Sequence, residues 1–242
     1  MIDRTASRTV VIVSALLLAL LASIPAARLA LRYYRAVHAR HVIAATLESP
    51  HWQSRAAQFE REAPRDGAVV LLGDSMIARF ARLRTPDRVS VVNFGINGDF
   101  TTGVLQRLGA VVRLRPAKVF IEIGVNDVVE RVEPAVVIAN YRAIIRGIRG
   151  GSPTTRLYAQ SIFPTALRSS WLRSSDSLND TIRATNADLA SLCRQEGITF
   201  IDLHPLFVRD NRLAAAFTVD GIHLNDQAYA LWLDAIRRYV DD

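Results

Sequence analysis

The stretch Gly67-Ala68-Val69-Val70-Leu71-Leu72-Gly73-Asp74-Ser75-Met76-Ile77-Ala78-Arg79 decides the fold. Five consecutive apolar residues, 68–72, follow a chain breaker at Ala63-Pro64-Arg65-Asp66-Gly67 and stop at Gly-Asp-Ser. An apolar run this short, carrying β-branched residues and no polar alternation, is the pattern of a strand buried on both faces. Residues 76–83 then read as a helix, so Ser75 falls where a strand turns into a helix.

Outward from this unit the pattern repeats. Residues 89–93, 118–124, 157–162 and 198–203 are four more short apolar runs. Between them, 102–114, 133–149 and 178–196 have helical character, and Gly150-Gly151-Ser152-Pro153 stops the second of these. A last helix is expected over 226–240, with Asn225 as its N-cap. Five strands alternating with helices predict an α/β fold with a parallel sheet covered on both faces. Right-handed crossovers place all strand C-termini on one edge, and sites in such sheets lie outside that edge. Residues carrying chemistry should therefore follow the strands. Asp74-Ser75 follow the first, Asn93 ends the second, and Asn126-Asp127 follow the third.

Composition narrows the class. The chain has 242 residues, 50% hydrophobic and 22% charged, which excludes collagen-like, disordered and low-complexity proteins. Its single cysteine, Cys193, excludes an internal disulfide framework and a thiolate metal site. The net charge of +7 divides into +4 over residues 1–66 (9 basic, 5 acidic) and +3 over 67–242 (21 basic, 18 acidic). The second part is nearly balanced, so it carries no electrostatic footprint for nucleic acid.

Residues 9–27 are 19 residues without a charge, preceded by Arg4 and Arg8. As a helix rising about 1.5 Å per residue they would span roughly 28 Å, close to a bilayer's hydrocarbon core. The run exceeds the core of about 7–15 residues usual in a signal peptide, which favours an uncleaved single-pass anchor over a cleaved signal. Arg28, Arg32, Arg35 and Arg40 follow it, and their number alone would place the rest of the chain in the cytoplasm. The expected organisation is a transmembrane or signal helix over 1–28, a helical spacer over 29–66 and a catalytic domain over 67–242.

A serine becomes a nucleophile at neutral pH only beside a base. His38, His41 and His51 lie in the N-terminal extension, which leaves His204 and His223. Asp220 stands three residues before His223 in one loop, a spacing that lets its carboxylate hold one imidazole nitrogen while the other faces Ser75. Asp202 and His204 form a second candidate pair; His223 is favoured because its loop leads into the terminal helix over the active edge. Oxyanion donors are available from the Asn126 amide and from glycine N–H groups in 93–99. No Gly-x-Gly-x-x-Gly follows the first strand, no phosphate-binding lysine is present, and the two Asp/His pairs lack a third metal ligand. No cofactor and no metal are expected.

Four blocks in order carry a family resemblance: Gly73-Asp74-Ser75, Gly95-Ile96-Asn97-Gly98-Asp99, Gly124-Val125-Asn126-Asp127 and Asp220-Gly221-Ile222-His223. Together they resemble the SGNH hydrolases, the GDSL family of esterases and lipases. The stretch 93–102 is most similar to the branch of the platelet-activating-factor acetylhydrolase catalytic subunits and their bacterial relatives. The resemblance implies a flavodoxin-like three-layer α/β/α sandwich. It implies Ser75 as nucleophile, His223 as base and Asp220 as its partner. Oxyanion donors would be the Ser75 N–H, the Gly98 N–H and the Asn126 side chain, with Asp74 and Asp127 in support; Asp202 and His204 become structural. The implied activity is hydrolysis of a short-acyl ester, often acetyl, through an acyl-serine. The implied setting is a bacterial envelope, with the membrane reached through the N-terminal helix and the catalytic domain extracytoplasmic. The ester would be a small molecule, a polysaccharide or a lipid. Rival readings are a lysophospholipase or thioesterase on longer chains, an acyltransferase or O-deacetylase on envelope polysaccharide, and a silent module that binds acylated ligands. Arg168–Ser177 is a candidate wall of the acyl pocket.

Overall fold

The fold is seen in a computed structural model covering residues 4–80, 90–167 and 175–241, with side chains described outside 4–24 and 175–176. Two helices, α1 (Arg4–Glu48) and α2 (Pro50–Glu60), come before the sheet. Then follow β1 (Val69–Gly73), α3 (Ser75–Phe80), β2 (Val91–Gly95), α4 (Thr101–Gln106), α5 (Leu108–Arg113) and β3 (Lys118–Glu122). The chain continues through α6 (Val125–Val129), α7 (Pro134–Gly151), β4 (Arg156–Gln160), α8 (Ser175–Glu196) and β5 (Thr199–Ile201). It closes with α9 (His204–Phe207), a small hairpin of β6 (Val208–Arg209) and β7 (Arg212–Leu213), and α10 (Asp226–Asp241).

The five main strands form one sheet in the order β2-β1-β3-β4-β5, and every neighbouring pair is parallel. The chain winds outward from β1 on one side and from β3 on the other. Between their C-terminal ends lies the crevice where such sheets bind ligands. Alternate residues of each strand feed two separate cores, as the two-residue side-chain period requires. Val70, Leu72, Val119 and Ile121 meet Trp52, Phe59, Val104 and Ile144 on one face. Val69, Leu71 and Phe120 meet Met76, Trp232 and Ile236 on the other. The parallel sheet covered on both faces that the strand pattern predicts is observed, as is the three-layer α/β/α sandwich that the resemblance implies.

Both flanking helices are set by local chemistry. Ser49 caps α2 by accepting the Trp52 N–H at 3.2 Å, and Pro50 occupies the first turn, where no N–H is needed. Phe59 then stacks on Phe94 of β2 at 4.2 Å, so α2 belongs to the core of the α/β body. At the other end, Asn225 Oδ1 accepts the Ala228 N–H at 3.0 Å, the N-cap expected for α10. The buried Lys118 ammonium donates to the carbonyls of Tyr239 and Val240 at 3.0 and 2.8 Å, satisfying the helix's last carbonyls.

Several elements differ from expectation. The helix predicted over 102–114 is two helices, because Arg107 takes φ −107° and ψ 14° at the junction of α4 and α5. Helices α6 and α9 and the β6–β7 hairpin were not foreseen. The hairpin turns on Asp210 and Asn211, both at positive φ (48° and 58°), which short polar side chains tolerate better than others. Among the described residues, no helix is long and apolar enough to cross a membrane. Most of the 9–27 run lies outside the residues whose side chains are described, as does most of the candidate wall at Arg168–Ser177.

Candidate active site

Ser75 opens α3 directly after β1 and is almost fully buried. Asp74 caps this helix: its Oδ1 accepts the Met76 N–H at 2.9 Å, and its carbonyl accepts the Ala78 N–H at 2.8 Å. The cap fixes the serine at a helix start, where unpaired amides favour negative charge. His223 arrives from 148 residues away, on the loop before α10, and its Nε2 lies 3.0 Å from Ser75 Oγ. Its Nδ1 lies 2.6 Å from Asp220 Oδ2. Asp220 Oδ1 accepts the backbone N–H groups of Ile222 and His223 at 3.0 and 2.8 Å. Burial alone would raise the Asp220 carboxyl, but the His223 ring and the two backbone donors outweigh it and bring the carboxyl to about 2. Asp220 is therefore an anion throughout the neutral range, oriented from both oxygens.

The candidate oxyanion donors come from the ends of β2 and β3. Gly98 sits at φ +74° in a turn closed by the Asp99 N–H on the Ile96 carbonyl at 3.2 Å, a conformation that a side chain would strain. Asn126 lies in the first turn of α6. Its Nδ2 donates to the Asp99 carbonyl at 2.9 Å and meets Asp74 Oδ2 only at 3.5 Å. One amide hydrogen is thus well engaged, and the other is held weakly enough to serve a ligand. Asp127 accepts the hydroxyl and N–H of Thr101 at 2.6 and 3.0 Å, tying α6 to the start of α4. The structure therefore brings Ser75, His223 and Asp220 into one chain of contacts and joins Asn126, Asp74 and the Gly98 turn to it. His204 is placed elsewhere. Its N–H donates to Ser161 Oγ at 2.8 Å, and burial pushes its imidazole below the usual value despite nearby Asp202. Among the described residues, no three His, Cys, Asp or Glu side chains converge so as to hold a metal ion.

The sequence reading missed four residues beneath this edge: Trp52, Thr101, Arg107 and Glu122. Arg107 had a signal, since it occupies an apolar phase of the helical pattern between Val104 and Val111. Glu122, the last residue of β3, is fully buried, and neither carboxylate oxygen has a hydrogen-bond partner among the described residues. Burial, and secondarily the charge of Asp74, hold its carboxyl well above the usual range. Asp74 and Asp127 are also raised by burial, to about 7 and about 6, although backbone and Thr101 hydrogen bonds pull them partly back.

These raised groups set a sign. A carboxyl that holds its proton longer folded than unfolded favours the fold at low pH. That advantage is lost as pH climbs from the unfolded value through the folded one. Urea denaturation at about pH 5 and about pH 8 should show the wild type losing stability on the way up, and Glu122→Gln losing less. An equal loss in both proteins would remove Glu122 as a cause. Asp220, lowered rather than raised, has already delivered its contribution below this window.

Residues 50–231 match the model of the GDSL-like Lipase/Acylhydrolase family. The chain is 26% identical over 189 residues to the platelet-activating factor acetylhydrolase IB subunit alpha1 of Homo sapiens, covering 74% of this chain and 78% of that one. The Rattus norvegicus protein of that name is 28% identical over 189 residues, with 74% and 77% covered. A solved GDSL-like lipase from Bacteroides thetaiotaomicron superposes with a TM-score of 0.67 at 22% identity, covering 78% of this chain and 96% of that one. A solved acetyl xylan esterase superposes at 0.60 with 18% identity, covering 72% and 99%.

Proposed function

Because the chain belongs to the GDSL-like lipase/acylhydrolase family and is thereby a carboxylic ester hydrolase, we propose that it cleaves short-acyl, chiefly acetyl, esters through an acyl-serine on Ser75. The observation that carries this reading is the unbroken chain from Ser75 Oγ to His223 Nε2 at 3.0 Å and from His223 Nδ1 to Asp220 Oδ2 at 2.6 Å. Ser75 Oγ attacks the acyl carbon and passes its proton to His223 Nε2. The carbonyl π pair moves onto oxygen, which the N–H groups of Ser75 and Gly98 and the Asn126 amide receive. The imidazolium returns the proton to the leaving alkoxide. Water then repeats the sequence on the acyl-serine, losing a proton to His223 and releasing the acid. Asp220 fixes the Nδ1–H tautomer and balances the imidazolium.

Short acyl groups are favoured by the likeness to proteins named acetylhydrolases. Rates on p-nitrophenyl esters from acetate to palmitate test the choice. Acetate and butyrate should lead long chains by about tenfold or more, since each methylene a pocket cannot accept costs about 1–3 kcal/mol. A preference for long chains would replace this reading with a lysophospholipase or thioesterase. The uncharged run at 9–27 supports a membrane tether. The extracytoplasmic side, beside esters of envelope glycan or lipid, rests on the family resemblance and runs against the arginine count after the run. Release of the protein from membranes by alkaline carbonate would overturn the tether.

A further inference from the structure

Asp99, directly after Gly98, is fully buried, and every face of it is held. Its Oδ1 accepts Trp52 Nε1 at 2.8 Å and the Phe100 N–H at 2.9 Å. Its Oδ2 accepts the Arg107 Nε–H at 2.9 Å and lies 2.8 Å from Arg107 Nη2 in an ion pair. Its carbonyl accepts Asn126 Nδ2 at 2.9 Å. One residue thus fixes both candidate oxyanion donors outside Ser75: Gly98 through the chain, and Asn126 through a hydrogen bond. Arg107 extends the hold to the strand ends, donating to the carbonyls of Phe94 at 2.8 Å and Gly73 at 2.9 Å. The latter is two residues before Ser75.

Two further observations point the same way. The guanidinium of Arg107 lies 5.4 Å from the centre of the Phe59 ring, so α2 supplies both the indole donor and the aromatic wall of this cluster. The α4 backbone comes so close that a Cβ on Gly103 would stand 1.9 Å from Asp99 Oδ1. A buried ion pair is a poor device for stability, because desolvation offsets its attraction. Its value here is geometric: charge-assisted, multiply donated hydrogen bonds fix a loop in one position.

We propose that Trp52 and Arg107 are positioning residues that clamp Asp99 and thereby set the Gly98 and Asn126 donors against the developing oxyanion, making helix α2, ahead of the sheet, a working part of the catalytic edge. The proposal rests on the esterase reading of the site. The substitution Trp52→Phe removes the indole N–H and keeps an aromatic ring, though a smaller one, in the core position; a matching thermal melt separates the lost hydrogen bond from lost packing.

The full-length wild type, Trp52→Phe and Ser75→Ala are compared on p-nitrophenyl acetate and with a methyl trifluoromethyl ketone as inhibitor. Ser75 Oγ adds to the ketone carbon, the proton passes to His223, and the carbonyl oxygen becomes an oxyanion at the same donors. Misplacement by a fraction of an ångström to about 1 Å predicts a fall in kcat of roughly 10- to 100-fold with KM unchanged. The ketone's inhibition constant should rise by the same factor. Unchanged kcat and inhibition, or a fall in kcat without weaker inhibition, would overturn the clamp. Should Trp52→Phe be unfolded at the assay temperature, Arg107→Lys is judged by the same two readouts. An active Ser75→Ala would sink the esterase reading itself. An inactive Ser75→Ala beside a fully active Trp52→Phe would sink only the clamp.

Discussion

Ser75→Ala is expected to lower kcat on a short-chain aryl ester by about five to six orders of magnitude, with KM nearly unchanged. The size follows from what the hydroxyl does: it supplies the nucleophile, and without it His223 has no proton to take on the path to an acyl-enzyme. What remains is attack by water at a site whose oxyanion donors are intact, worth about 10³–10⁴ over the uncatalysed rate. The substitution leaves the fold alone. Alanine is a good helix former, and the cap of α3 is the Asp74 carboxylate on the Met76 N–H at 2.9 Å, not the serine. Thermal melting should therefore match the wild type, so the lost rate cannot be charged to unfolding. Stopped assays with enough protein to detect a 10⁶-fold deficit settle the point. A folded Ser75→Ala within tenfold of the wild-type rate would remove Ser75 from the chemistry.

Which parts of this site were legible in the chain depends on how its contacts are made. Ser75, Gly98 and Asn126 each follow a strand within a few residues, and a strand buried on both faces announces itself as an apolar run. Once the parallel sheet was inferred, one edge had to collect them. Elimination left His204 and His223, and the loop leading into the terminal helix favoured His223. Asp220 was legible by its spacing in that loop, while Gly98 in particular was singled out only by the family resemblance. Trp52 and Asp99 are different. They are separated by 47 residues and joined by a single side-chain hydrogen bond, which no local pattern encodes. The same holds for Arg107, whose side chain reaches the Gly73 carbonyl 34 residues back. Its place in an apolar helical phase was a clue, yet an arginine there reads equally well as a helix edge. Reading 102–114 as one helix missed the break that lets this side chain turn beneath the strand ends. Glu122 stands inside the run 118–124 that reads as a short apolar strand. Only the central position of β3 in the sheet order shows that its carboxyl has no route to water. In the segment read as a helical spacer over 29–66, Trp52 and Phe59 of α2 are buried in the core, a fact that depends on where β2 lies.

Asp220→Asn is the other large effect, expected to cost about 10⁴ in kcat at neutral pH. The reason is directional. Asp220 Oδ1 accepts two backbone N–H groups, from Ile222 and His223, at 3.0 and 2.8 Å. Those donors cannot face an amide NH₂, so the asparagine must keep its oxygen there and turn its nitrogen toward His223 Nδ1. That ring nitrogen then has to accept, which moves the imidazole proton to Nε2, the atom 3.0 Å from Ser75 Oγ. A protonated Nε2 cannot take the serine's proton, although every heavy atom stays in place. The fold should survive, since the two backbone contacts are kept and the loop lies at the surface. Glycine or alanine at 220 would lose the loop's own hydrogen bonds as well, so it could not separate orientation from local collapse. Asparagine can, through one further readout. Proton NMR of the ring should show the tautomer exchanged, with melting unchanged. A variant that keeps wild-type kcat with the proton moved to Nε2 would show that His223 is not the base. A variant that keeps wild-type kcat with the proton still on Nδ1 would show that the Asp220 charge contributes little.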